Sequence, residues 1–267
     1  MLGILDSGIG GLGIARKIME RFPDCDILYY GDTVRAPYGD KSAAAVIRYA
    51  LQNTEILLRK GAQVVLIASH TIACVAGRQV RDACGVPVLD VIGPTARLAL
   101  QTASKCVVGI VASRAAVVSN GYPETILSLN SEAKVYSAAC PLLTPLVEEG
   151  WLKKPETVRI VKKYLHPLKV RQIDTLILGA NHYALLKKII QRKIGKRVHV
   201  IDACDAVPAA LVDFLNENGA LKSAICKGGR HQFLVSDLNE HVLKSAKRLY
   251  GRNIDLEAIN IPHLRRY

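Results

Sequence analysis

The sequence predicts an α/β fold: two similar α/β domains with mainly parallel sheets and a ligand cleft between them. Three observations carry the prediction. Short, continuous apolar runs alternate with longer segments of helical period, and such runs mark strands buried on both faces, as in a parallel sheet covered by helices. One local design recurs: "VVLIASHTIACVA" (64–76) and "TLILGANHYALL" (175–186) each read as an apolar strand, a small residue, a polar triplet containing His, then a helix. "CVVGIVASRAAVVS" and "LGILDSGIGGLG" repeat the strand-to-turn part of it. Finally, 267 residues, half of them apolar, suffice for two modest cores.

The strands, in order, are "LGILD", "DILYYGD", "QVVLIAS", "VPVLDV", "CVVGIVAS", "KVYSAA", "DTLILGA" and "RVHVID". Between the second and third, "SAAAVIRYALQNTEILLRKG" spaces Ala, Ile and Leu helically and ends at Gly61. Right-handed crossovers are expected. Gly93-Pro94 and the stretch near Asp202–Ala206 are the expected crossings between halves. They divide the chain into a first domain of 1–92 plus 207–267 and an inserted second domain of 93–206.

Composition bounds the partners. No run of about 18 apolar residues suggests a membrane span, and "MLGILDSGIGG" has no signal-peptide character, so a cytoplasmic protein is expected. Seven cysteines without a C-x-x-C pair or regular spacing predict free thiols rather than disulfides or a zinc site. The formal net charge is +13, which raises the question of an anionic partner. The basic clusters "LLKKIIQRKIGKR" and "PHLRRY" are modest, and the first alternates with Leu and Ile as the solvated outer face of a helix does. Three Phe and one Trp offer little for base stacking.

Two clusters point to a site. "DSGIGGLG" puts Asp6 and Ser7 after a strand, with glycines turning into a helix whose N–H groups can receive an anion; the dinucleotide pattern is not met. "YYGDTVRAPYGDKS" gathers Asp32, Arg35, Pro37, Tyr38 and Gly39 in one loop.

With "LIASHTIA", "GIVAS", "SNGYPETILS", "ACPLLTPLVEEG", "IDTLILGANHYALL" and "VIDACDAVP", these stretches resemble the glutamate racemase family of the aspartate/glutamate racemase superfamily over most of the chain. The resemblance implies two α/β domains enclosing the ligand, no cofactor and no metal. It also implies inversion of an amino acid by two thiols working on opposite faces. The family's first thiol stands in a Cys-Asn-Thr triplet, the second in a Cys-Thr-His triplet. Here the triplets read Ser69-His70-Thr71 and Ala180-Asn181-His182.

That departure bears on the chemistry. A thiol titrates near about 8.5 and is tunable; a serine hydroxyl is a far weaker acid and Ala180 offers no proton. Losing even about 5 kcal/mol of transition-state stabilisation slows a reaction several thousandfold. Conventional two-thiol racemisation is therefore not expected. His70, where the family has Asn, and His182, which matches the family's own His, form the candidate replacement pair with Ser69 and Asp6, since imidazoles exchange protons near neutral pH. A metal held by His70, His182 and Asp6 is a minor alternative to this metal-free reading.

By the same resemblance, Ser7, Tyr38, Gly39, Thr71, Asn181 and Ser113 are candidate substrate-binding residues, and Glu148 a support for His182. The expected ligand is a small amino acid or carboxylate, and a homodimer fits the family. Three readings follow. The chain is an isomerase-family enzyme with altered chemistry, including isomerase, lyase or hydrolase steps or residual glutamate racemisation for peptidoglycan precursors. It is a non-catalytic binding or regulatory protein. Or, given the charge and the gyrase association of some family members, it serves a nucleic-acid or gyrase partner.

Overall fold

The computed structural model describes residues 1–259; the "PHLRRY" cluster lies outside them. The described chain runs β1 (Leu2–Asp6), α1 (Leu12–Arg21), β2 (Ile27–Gly31), α2 (Ala43–Arg59), β3 (Val64–Ile67), α3 (His70–Ala83), β4 (Val88–Asp90) and α4 (Ile92–Thr102). Next come β5 (Val107–Ala112), α5 (Arg114–Val118), α6 (Gly121–Leu129), β6 (Lys134–Ala139), α7 (Leu143–Glu148), α8 (Pro155–Val170) and β7 (Thr175–Gly179). A 3-10 turn (Asn181–Leu186) leads to α9 (Lys187–Ile194), β8 (His199–Ile201), α10 (Ala203–Glu217), α11 (Gly219–Ile225), β9 (His231–Val235), α12 (Glu240–Tyr250) and β10 (Glu257–Ala258).

Two sheets result, ordered β10-β9-β2-β1-β3-β4 and β6-β5-β7-β8. Every ladder pairing in both is parallel. The order β2-β1-β3-β4 in one sheet and β6-β5-β7-β8 in the other is the same permutation, so the recurring sequence design corresponds to a recurring topology. In each unit the chain steps one way from its first strand and then crosses over it, and loops at the strands' carboxyl ends splay apart to leave a ligand crevice there.

Burial explains the apolar runs. β1, β2, β3 and β7 are buried at every position, because helices cover both faces. Hydroxyl and amide side chains start the helices where the pattern changes from strand to helix: Ser42, Ser69, Ser113 and Asn239 each accept a backbone N–H of their own first turn. Gly61, at φ +90°, lies just beyond α2, where the left-handed backbone suits glycine.

Two expectations need correction. β9 and β10 were not foreseen: "HQFLV" starts with two exposed polar residues, so its apolar run is too short to stand out. Cys25 and Cys226 are joined in a disulfide, because an antiparallel bridge sets the end of α11 beside the start of β2; the other five cysteines are free. Gly93-Pro94 lies in α4 and the stretch near Asp202–Ala206 at the start of α10, helices that pack on each other. No helix among the described residues is long and apolar enough to cross a membrane.

Candidate functional site

A cavity of about 320 Å³ lies between the sheets at the carboxyl ends of β1, β3, β5 and β7, within the size range of small-molecule sites. All ten catalytic and binding candidates from the sequence line it, as do Ala180 and Glu148. Asn239, His241 and Val242, at the start of α12, also line it and were missed. Asn239 caps α12, a local signal for a helix start, but nothing local tells where that helix docks.

The β1 turn is held from within. Asp6 is buried; one carboxylate oxygen accepts the Gly11 N–H at 2.7 Å and the Tyr29 hydroxyl at 2.6 Å, and the other accepts the Ser7 N–H at 2.9 Å. With both oxygens engaged, Asp6 organises the turn and has little capacity left for a proton of the ligand. The Tyr38 loop is anchored likewise. Fully buried Asp32 accepts from Arg35 at 2.5 Å, from Ser236 at 3.0 Å, and from the Tyr38 hydroxyl. Arg35 in turn reaches Gln52 and Asn53. Burial, then the Asp32 charge, raises the Tyr38 phenol above its ordinary range, so it stays protonated. The Ala36–Pro37 peptide in this loop is cis.

The walls touch across the cleft. The Thr71 and Ser113 hydroxyls, from different sheets, are 2.9 Å apart; on the first sheet's own wall the Ser7 and Ser69 hydroxyls are also 2.9 Å apart. Asn181 donates to the Ala68 carbonyl at 2.8 Å. Ser69 also caps α3 through Ile72 N–H, so its hydroxyl is occupied structurally.

The two histidines differ. His70 is 3% exposed and its Nδ1 lies 2.7 Å from the Tyr122 hydroxyl. Burial pushes its imidazole down to about 4, with the Asn181 side chain drawing weakly the other way. It is therefore neutral at neutral pH and a weak base. Its Nε2 and the Asn181 carbonyl oxygen are both buried without a protein partner. His182 Nε2 stands 3.1 Å from Glu148 Oε1, off the line of a good hydrogen bond, since this nitrogen too lacks an aligned partner. Burial raises the Glu148 carboxyl, but the adjacent His182, and then His241, more than reverse that and leave it below the usual range. The backbone of Glu148 is fixed by Ser245 and Arg248 of α12.

No cysteine lines the cavity. Burial pushes the Cys140 thiol up to about 12 and raises Cys74 further. Among the described residues no three His, Cys, Asp or Glu side chains are grouped to hold a metal. The His70–His182–Asp6 trio in particular does not converge: Asp6 is turned to backbone N–H groups and His70 to Tyr122.

Paired parallel sheets of one topology, closing a polar cleft over the ends of their strands, define the racemase class of two-domain α/β proteins. The profile described as Asp/Glu/Hydantoin racemase matches residues 14–211, and the chain belongs to that family, within it to the glutamate racemases. It is 40% identical over 253 residues to the glutamate racemase of Syntrophus aciditrophicus (strain SB), covering 95% of this chain and 93% of that one. It is 40% identical over 255 residues to that of Neisseria meningitidis serogroup A, covering 95% and 94%. A glutamate racemase isoform from Bacillus anthracis superposes with a TM-score of 0.91 at 30% identity, covering 98% of both chains. The Francisella tularensis glutamate racemase, solved in complex with D-glutamate, gives 0.90 at 31% identity, again over 98% of both chains.

Proposed function

We propose that the cleft binds a small amino acid or carboxylate without two-thiol racemisation. The observation that carries this reading is that the positions after β3 and β7 that line the cleft hold Ser69 and Ala180, and no thiol lines the cavity. The D-glutamate complex of the Francisella tularensis relative supports the ligand class. In this reading Ser7, Gly39, Thr71, Ser113 and Asn181 receive the ligand, Tyr38 shapes the wall as a protonated phenol, and the protein uses no cofactor. It acts in the cytoplasm as a homodimer.

A second reading keeps some acid–base chemistry, favoured by Glu148 lying against His182. His182 would then exchange the ligand's α-proton on one face, with neutral His70 as a hydrogen-bonding group.

Proton NMR in deuterium oxide with L- and D-glutamate and L- and D-aspartate separates the two. Ligand-induced shifts with a persistent α-proton signal fit the binding protein. Loss of that signal, abolished in His182→Ala, fits the second reading. Rapid interconversion of both enantiomers that survives in the His182→Ala protein would defeat both.

A further inference from the structure

We infer that the outer face of α8 and α9 is a docking surface for the phosphate backbone of double-stranded DNA, separate from the cleft. Between Lys153 and Arg197 the chain carries 13 Lys and Arg against two Asp and Glu, while the rest carries 23 against 21. Most of the +13 formal charge therefore sits in one stretch. The fold gathers it on one side. Along β6-β5-β7-β8, the steps from β6 to β7 and from β7 to β8 run in the same direction, so right-handed crossovers place α8 and α9 on the same face of the sheet. There they pack against each other. Val161, Leu165 and Leu168 of α8 and Ile189, Ile190 and Ile194 of α9 are buried, which leaves Arg159, Lys162, Lys163, Lys169, Lys188 and Arg192 exposed.

An ordinary solvated face looks different in this same molecule. Elsewhere exposed cations pair along their helices, as in Arg59–Glu55, Arg78–Asp82 and Lys244–Glu240. Among the described residues of α8 and α9, Lys187 alone is ion-paired, to Asp202 and Asp205. Unneutralised like charges held on two packed helices repel one another and raise the local potential, and a polyanion relieves both.

The chemistry favours duplex DNA among polyanions. The outward positions carry Lys and Arg, not the aromatic rings that stack on single strands. Cations spread over two parallel-packed helices suit the regular phosphate rows of a duplex. The 16 residues of α8 extend about 24 Å, matching about 14 duplex charges at ~1.7 Å each.

The test is fluorescence anisotropy of the full chain with a mixed-sequence DNA duplex of about 20 base pairs, from about 50 to about 200 mM salt. With about five phosphates neutralised, affinity falls about 500-fold across that range. The variant K162E/K163E/K188E/R192E, with all four changes at exposed positions, loses binding. A second protein, R21E/K60E/K222E/K227E, makes the same net change elsewhere and retains it; circular dichroism establishes that both are folded. Equal loss in the two variants would reduce the effect to net charge and overturn the proposal. So would no binding at low salt, tighter binding to an RNA duplex, or tighter binding to phosphatidylserine vesicles.

Discussion

His70 illustrates how a residue's surroundings decide its chemistry. An imidazole beside Ser69 was a natural acid–base candidate, yet burial holds this one neutral, down to about 4. That depression has a thermodynamic consequence. The unfolded chain binds a proton at His70 below about 6.5 while the folded chain does not until about 4. The contribution is fully present above the unfolded value and is lost as pH falls through that window. Between pH 7 and pH 5 this one group lowers stability by about 2 kcal/mol, measurable by urea unfolding at the two pH values. His70→Asn removes that share of the acid sensitivity; an unchanged difference would mean His70 is not held neutral. The strand-end positions give a second prediction. S69C/A180C restores a thiol to each wall and raises α-proton exchange of glutamate by about tenfold or more, ~1.4 kcal/mol off the barrier, read by the same NMR experiment. The absence of thiols was legible in the triplets themselves. The occupied state of Ser69, Asp6 and His70 was not, because their partners Ser7, Tyr29 and Tyr122 arrive from another turn, a strand and a helix.

At the scale of elements, the cleft is made by turns that must approach closely. A Cβ on Gly10 would lie 2.9 Å from His182 Cε1 and 3.3 Å from Asn181 Cβ, so the β1–α1 turn and the 3-10 turn after β7 meet only because that position is glycine. Gly10→Ala displaces His182 and weakens ligand binding by about tenfold, as measured by calorimetric titration; unaltered affinity would mean the 3-10 turn yields without cost. Eight of the ten described strands were readable because short apolar runs are a local signal, strongest in β1, β2, β3 and β7, which are buried at every position. β9 was not, since its first two residues are exposed and only pairing with β2 and β10 makes it a strand. α12 supplies Asn239 and His241 to the cleft and fixes Glu148 through Ser245 and Arg248. These contacts span about 100 residues of sequence and have no local signature.

For the molecule as a whole, the proposed ligand is linked to stability. The Thr71–Ser113 hydroxyl pair and the Asn181 contact bridge the walls, and a ligand between them binds the folded chain but not the unfolded one. At 100-fold excess over Kd it adds about 2.7 kcal/mol, which for a chain of this size raises Tm by roughly 5–10 °C. Thermal unfolding with each enantiomer of glutamate and aspartate reads this directly, and no shift with any of them would point to a different ligand class.

The α/β class, the repeated strand-turn-helix design and the kinship with glutamate racemases were determined by the sequence itself. They rest on hydrophobic periodicity and contiguous motifs, which act over a few residues. Tertiary structure alone decided which side chains share the cleft, that His70 is neutral, and that two basic helices stand side by side. Desolvation and charge depend on what lies within a few ångströms in space, and the crossovers that bring distant segments together leave no mark on the residues they join.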